Sequence, residues 1–248
     1  MTEKNKKSNP IWKEEVVSDK EEGKIYPEAT DPNKLKSKYS PQNPYGEDMF
    51  TEEDFKVQDL TQQTPQEEYV MDNVLTDEEC DELIEQSEKS MEKSTVVGKE
   101  IDGYRTSFNT FINKKSKLNS IKELNVIAKT LTDTDLNQHE DVCIVRYQEG
   151  QEYKAHHDYF CKKTMSEEFE RGGDRIFSLL FFLNDGFEGG GTIFTKLNLE
   201  IRPKKGRLIL WRNHWNGEQN VMSEHAGMPV ESGIKYVAVK WIRESEFK

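Results

Sequence analysis

After residue 140, apolar and polar positions alternate with a period of two, the mark of strands whose side chains point to opposite faces. Short β-branched and aromatic runs at 142–147, 176–183, 192–195, 207–211, 219–225 and 236–242 are separated by "EGGG", "PKKG", "NG" and "SG". Runs and turn signals of this kind predict an antiparallel sandwich or barrel. Upstream the period is helical. In "YVMDNVLTDEECDELIEQSEKSM" a short apolar strand leads to Thr76, with Glu79 three residues later, and then to Cys80, Leu83, Ile84 and Met91. A threonine and a glutamate so spaced form a capping box at a helix start. A second helix is predicted in "KLNSIKELNVIAKTL", where Leu118, Ile121, Leu124, Ala128 and Leu131 share one stripe. Helices first and strands after predict an α+β fold, a double-sheet roll braced on one side by helices.

The first 68 residues read differently. Pro10, Pro27, Pro32, Pro41, Pro44 and Pro65, six of the eight prolines, lie there among charged tracts without apolar periodicity. Such a segment buries too little to offset its ordering entropy. Residues 1–68 are expected to be a disordered or loosely draped arm, and residues 69–248 the single domain. The arm's aromatics, Trp12, Tyr26, Tyr39, Tyr45, Phe50 and Phe55, leave docking onto a partner or onto the domain open. Composition agrees: 33% hydrophobic and 33% charged residues in a chain of 248, with a mean hydropathy of -0.90, is dilute for a chain packed throughout.

Charge and cysteine content narrow the function class. A net charge of -12, from 35 basic and 47 acidic residues, argues against broad attraction to nucleic acid or an anionic membrane. A peptide or small molecule fits better as substrate. Cys80, Cys143 and Cys161 form no CxxC pair and are odd in number, which argues against a disulfide framework or a structural zinc and for a reducing compartment. "MTEKNKKSNP" has no apolar signal core, and the longest strongly apolar run, "LLFFL" at 179–183, is too short to cross a bilayer. A soluble, cytoplasmic protein is expected.

Candidate chemistry centres on "HHDYF", residues 156–160. If this stretch is extended, His156 and Asp158 share a face and His157 points away. One imidazole and one carboxylate are two thirds of a divalent-metal site; a satisfied core histidine beside a turn-forming aspartate explains them equally well. A facial triad needs another imidazole from a distant strand. His139 precedes the core strands and His214 sits in the turn-like "RNHWNG", which leaves His225 in "VMSEHAGMPV" as the better candidate, against its reading as a surface histidine before Pro229. Lys235 follows in "ESGIKYVAVKWIRE", at the start of an alternating strand whose inward positions are otherwise apolar or aromatic. A buried ammonium is costly unless an anion meets it. Fe(II) with one aspartate leaves one positive charge, Lys235 adds a second, and a 2-oxo dicarboxylate would neutralise both, its keto-acid end on the metal and its far carboxylate on the lysine.

Six segments, in order, carry a family resemblance over residues 69–245: "LTDEECDELI" (75–84), "RTSFNTFI" (105–112), "RYQEGQEYKAHHDYF" (146–160), "GGGTIF" (189–194), "RPKKGRLILW" (202–211) and "HAGMPVESGIKYVAVKWIR" (225–243). The chain resembles the Fe(II)- and 2-oxoglutarate-dependent dioxygenases, and among them the prolyl 4-hydroxylase branch. The resemblance implies a double-stranded β-helix (jelly-roll) core with supporting N-terminal helices. It implies that His156, Asp158 and His225 ligate Fe(II), that Lys235 holds the distal carboxylate of 2-oxoglutarate, that Tyr147 hydrogen-bonds the same cosubstrate and that Thr192 lines its pocket. Arg105 and its neighbours resemble a mobile loop over the peptide groove, Trp241 the aromatic on the last strand near the active site, and Tyr153 a further substrate-side residue.

The implied reaction consumes O2, with ascorbate rescuing uncoupled turnovers. It hydroxylates C4 of a prolyl residue in a peptide or protein and releases succinate and CO2. The rivals are a 2-oxoglutarate oxygenase acting on another side chain or a free amino acid, a non-catalytic jelly-roll binding module, and a zinc hydrolase, which leaves Lys235 without a partner. Where the family strand often reads Arg-x-x-Thr-x-Leu-x-Tyr-Leu-Asn, this chain has "RIFSLLFFLN", with Ser178 for the threonine and Phe182 for the tyrosine. The hydroxyl lost at Phe182 puts 2-oxoglutarate affinity, rather than metal binding, in question. Glycines 189–191 predict a tight turn, since no Lys-Ser/Thr follows to make a phosphate loop.

Overall fold

The computed structural model describes residues 68–95 and 103–248, together with the backbone of two short segments at 12–18 and 25–29. The strands are, in chain order, β1 (Trp12–Ser18), β2 (Ile25–Ala29), β3 (Glu68–Met71), β4 (Glu92–Lys93), β5 (Phe108–Ile112), β6 (Val142–Gln148), β7 (Tyr153–His156), β8 (Arg175–Phe182), β9 (Glu188–Gly189), β10 (Thr192–Phe194), β11 (Leu199–Ile201), β12 (Leu208–Arg212), β13 (His214–Trp215), β14 (Glu218–Gln219), β15 (His225–Gly227), β16 (Val230–Ser232) and β17 (Ile234–Arg243). The helices are α1 (Asp77–Ser87), α2 (Asn119–Thr132) and α3 (Ser166–Glu170).

Helix α1 starts where the capping box requires. Glu79 N–H donates to Thr76 Oγ1 at 3.3 Å, Thr76 N–H donates to Glu79 Oε2 at 2.8 Å, and Asp77, Glu78 and Glu79 lie at the positive end of the helix dipole. The helix ends at Ser87, so Met91 lies beyond it, half-buried against the core. Helix α2 buries Ile121, Leu124, Ile127 and Ala128 and stops at Asp133, whose backbone is left-handed (φ 50°, ψ 43°).

Two antiparallel sheets form the body. The larger has the order β3-β12-β8-β17-β6-β5-β4 and the smaller β11-β10-β15-β7. The central strands of the larger sheet are buried on both faces, and their alternation sorts two cores. On β17, Ala238 and Ile242 join α1 and α2 in one cluster, while Val237, Val239 and Trp241 face the smaller sheet with Leu180, Phe182, Ile209 and Trp211 in the other. This is the double-sheet roll braced by helices that the sequence pattern predicts. The functional residues sit in the second core, between the sheets.

Two local expectations are corrected. Residues 219–225 are not one strand: β14 ends at Gln219, a 3-10 turn covers Val221–Ser223, and β15 begins at His225. Asn220 causes the break, its side chain accepting from Met222 N–H at 3.1 Å while Ser223 Oγ donates to its carbonyl at 2.7 Å. The "HHDYF" stretch is extended only as far as His156, and residues 157–160 leave the strand in a bend. In the arm, β1 and β2 pair antiparallel; the rest of the expectation of a disordered or draped arm over residues 1–68 lies outside the described residues. Among the described residues no helix is long and apolar enough to cross a membrane.

Candidate metal and cosubstrate site

Strands β7 and β15 pair with His156 directly opposite His225, which brings together two imidazoles 69 positions apart in sequence (225 − 156). Their ring centroids are 4.3 Å apart. Asp158 reaches them from the bend that follows β7, 7% exposed. Its Oδ1 lies 3.8 Å from His156 Nε2 and its Oδ2 3.9 Å from His225 Nε2, and one atom from each of the three residues lies within 4.8 Å of the others.

Hydrogen bonds fix which nitrogen faces inward. His156 Nδ1 contacts Lys154 O at 2.8 Å and His225 Nδ1 contacts Ser223 O at 2.9 Å. A carbonyl only accepts, so each Nδ1 carries a proton and each ring turns its Nε2 toward Asp158. Burial, and then the neighbouring His225, push the His156 imidazole well below its ordinary value. Burial pushes the Asp158 carboxyl up, but His225, His156, Arg175 and the Ser178 hydroxyl outweigh it and hold it down. A neutral His156 imidazole beside an ionised Asp158 carboxylate is what metal ligation demands.

Lys235 begins the inward face of β17, opposite Tyr147 on β6. It is 2% exposed, and its Nζ donates to Gly190 O at 2.6 Å between the rings of Tyr147 (5.1 Å) and Phe182 (5.5 Å). No carboxylate meets this ammonium among the described residues, and burial alone pulls its pKa down to about 7. Gly190 has φ 65°, and a Cβ there would come within 2.9 Å of Phe187 and 3.1 Å of the Lys235 side chain. The glycine turn is therefore the wall against which Lys235 is held.

All nine residues singled out from sequence line one cavity between the two sheets. Thr192 Oγ1 and Trp241 Nε1 are buried there without a hydrogen-bond partner. Tyr153 stacks on His156 at 3.6 Å between centroids, and the Arg105 guanidinium lies 4.8 Å from the Tyr153 ring centroid, so Tyr153 also braces a candidate ligand. Arg105 bridges Tyr153 and donates to Thr95 O at 3.2 Å; the mobile loop expected around it includes residues 96–102, outside those described. The other histidines are accounted for locally. His157 Nε2 contacts Val221 O at 3.1 Å, His214 contacts Asp174 at 2.9 Å, and His139 contacts Thr134 at 2.9 Å, its pKa driven to about 3, chiefly by burial.

Sequence reasoning leaves the role of Ser178 open and misses two further residues. Ser178 faces Asp158, donating to Oδ2 at 2.6 Å, and is thus a neighbour of the candidate metal centre. Arg175 stacks over Trp241 at 3.7 Å and grips Glu140 with two hydrogen bonds of 2.6 and 2.8 Å, which fixes one wall of the cavity. The inward parity of Ser178 among apolar strand neighbours was the available signal, and Arg175 stands at the arginine of the family strand motif; Glu140 carried none.

These residues fit Fe(II) and 2-oxoglutarate. Two imidazoles and one carboxylate are the donor set of the facial triad, and an unpartnered buried ammonium beside an orphaned threonine hydroxyl suits the far carboxylate of a keto diacid. Comparison with known proteins points the same way. Residues 142–243 match the family described as the 2OG-Fe(II) oxygenase superfamily. Prolyl 4-hydroxylase 2 of Arabidopsis thaliana is 31% identical over 206 residues, covering 72% of this chain and 68% of its own length. Prolyl 4-hydroxylase 5 of the same plant is 32% identical over 207 residues, covering 72% and 69%. Among solved structures, the viral collagen prolyl hydroxylase of Paramecium Bursaria Chlorella virus-1, determined as its 2OG complex, superposes with a TM-score of 0.58 at 27% identity, covering 71% of this chain and 95% of that one. With its ligand set, its lysine and its double-sheet roll, the chain belongs to the 2OG-Fe(II) oxygenase superfamily, within the prolyl 4-hydroxylases, and is a 2-oxoglutarate-dependent dioxygenase.

Proposed function

We propose that this enzyme hydroxylates prolyl residues at C4 in a peptide or protein substrate, with Fe(II), 2-oxoglutarate and O2, releasing succinate and CO2, and with ascorbate rescuing uncoupled turnovers. The observation that carries the reading is Lys235, a buried ammonium with no anion among the described residues, in the same cavity as His156, Asp158 and His225. Those three would hold Fe(II), Lys235 and the Thr192 hydroxyl would take the distal carboxylate, and Tyr147 would add a hydrogen bond. Bound there, the metal and cosubstrate supply the O2-dependent oxidation of an unactivated C–H bond.

The chain's own residues do the rest. The Nδ1 bonds of His156 and His225 lock ring orientation before any ligand arrives. Lys235 neutralises the cosubstrate's charge, and Leu180, Val237 and Val239 keep the walls apolar and water out. Arg105, Tyr153 and Trp241 are the substrate-side candidates. The prolyl assignment is supported by the prolyl 4-hydroxylases and the collagen prolyl hydroxylase that the chain resembles. Residues 69–248 are proposed as the catalytic unit and residues 1–68 as an appended arm, to be assessed by turnover with and without the arm.

The test is incubation of the full chain with Fe(II), 2-oxoglutarate, ascorbate and a panel of proline-containing peptides. The expected result is one added oxygen on proline and a matching yield of succinate. Neither product across the panel contradicts the proposal and favours a binding module. Oxygen on another residue, or on a free amino acid, moves the substrate and keeps the chemistry.

A further inference from the structure

Asp158 is the one ligand that no strand delivers, because β7 ends two residues before it. Its carboxylate must be aimed by what it touches. Asp158 Oδ2 accepts from Ser178 Oγ at 2.6 Å, Ser178 Oγ accepts from Asn213 Nδ2 at 2.8 Å, and Asn213 Oδ1 accepts from Trp211 Nε1 at 3.1 Å. Ser178 and Asn213 are fully buried and Trp211 is 1% exposed.

The direction of this relay is set at its far end. An indole N–H donates and never accepts, so Asn213 must turn its oxygen to Trp211 and its NH2 to Ser178. With that donor on its oxygen, the single hydroxyl proton of Ser178 goes to Asp158. A rotor that could point anywhere becomes a fixed donor, and the carboxylate a fixed acceptor. The Trp211 ring also packs edge-on against His225, with centroids 4.7 Å apart at 61°. One side chain therefore reaches two of the three ligands, His225 by direct contact and Asp158 through three hydrogen bonds.

We propose that Trp211, Asn213 and Ser178 are positioning residues that orient Asp158 and His225 and thereby set the affinity and ligand geometry of the metal centre. The inference rests on the metal-site reading above. A purely structural role for the same bonds would lower the stability of the metal-free protein and leave metal affinity and spectrum alone. Positioning predicts the reverse emphasis.

The experiment uses the full chain without turnover: Mn(II) affinity by electron paramagnetic resonance, the visible spectrum of the Co(II)-substituted protein, and the melting temperature of the metal-free protein. Ser178→Ala and Asn213→Ala are expected to weaken Mn(II) binding by about ten- to a hundredfold and to shift the Co(II) bands. Ser178→Thr, which keeps a hydroxyl, should return both readouts close to the wild-type values. Wild-type affinity to within about twofold, with unchanged Co(II) spectra, in folded alanine variants would overturn the proposal, since the lost contacts are of the kind that costs at least tenfold. If Asn213→Ala does not fold, Ser178→Ala, which deletes one oxygen, decides alone. Failure of the wild type itself to bind metal would instead sink the metal-site reading, and this inference with it.

Discussion

Lys235 can hold a carboxylate only while it carries its proton, and burial pulls its pKa down to about 7 in the free enzyme. A bound dicarboxylate favours the charged form and raises that value, so binding takes up a proton. Affinity is then full below pH 7 and falls as pH rises through the free-enzyme pKa, by about tenfold per unit. Calorimetry between pH 6 and pH 9 should show that slope, and Lys235→Gln should bind 2-oxoglutarate at least about tenfold more weakly with the slope abolished, having lost a charge-assisted hydrogen bond. A flat wild-type profile would mean that Lys235 meets no anion. At this scale the sequence was informative where residue type alone dictates chemistry: the imidazoles, the carboxylate and a lysine at an inward strand position. It was silent where chemistry depends on a neighbour. The meeting of Ser178 with Asp158, and the orphaning of Thr192 Oγ1, are facts of packing.

The glycine turn between β9 and β10 ties cosubstrate binding to local backbone conformation. At Gly190 the φ of 65° suits glycine, and an added Cβ would meet Phe187 at 2.9 Å and Lys235 at 3.1 Å. Gly190→Ala should therefore lower stability by about 1–2 kcal/mol, and, by shifting Lys235, raise the KM for 2-oxoglutarate more than it lowers kcat. An unchanged KM would show that the turn does not hold the lysine. Elements with strong periodicity and explicit end signals were legible: the capping box placed α1, and β6, β8 and β17 came within one or two residues of the expected runs. Residues 219–225 were not, because Asn220 offers its own side chain to the backbone and competes with the strand. The bend at Asp158 was equally hidden, since alternation put it on the correct face for the wrong reason.

Over the whole molecule, the register between strands was the least legible feature. That His225 lands opposite His156 follows from antiparallel pairing across the smaller sheet, which no local pattern encodes. Because the site joins both sheets through β7, β15 and β17, ligands that occupy it should stabilise the entire fold. Mn(II) and 2-oxoglutarate, each at about a hundred times its dissociation constant, are expected to add about 2.7 kcal/mol apiece, seen as stepwise rises in melting temperature. Lys235→Gln should keep the metal step and lose most of the second. At the centre of the molecule, one cavity binds metal and keto diacid together. Anaerobic titration of 2-oxoglutarate into the Fe(II)-loaded protein measures this most directly, through the weak visible charge-transfer band of a chelated keto acid. Saturable growth of that band in the wild type, its loss in Asp158→Ala, and its displacement to higher concentration in Lys235→Gln are the predicted results; a wild-type protein that takes up Fe(II) and 2-oxoglutarate yet shows no band would contradict it.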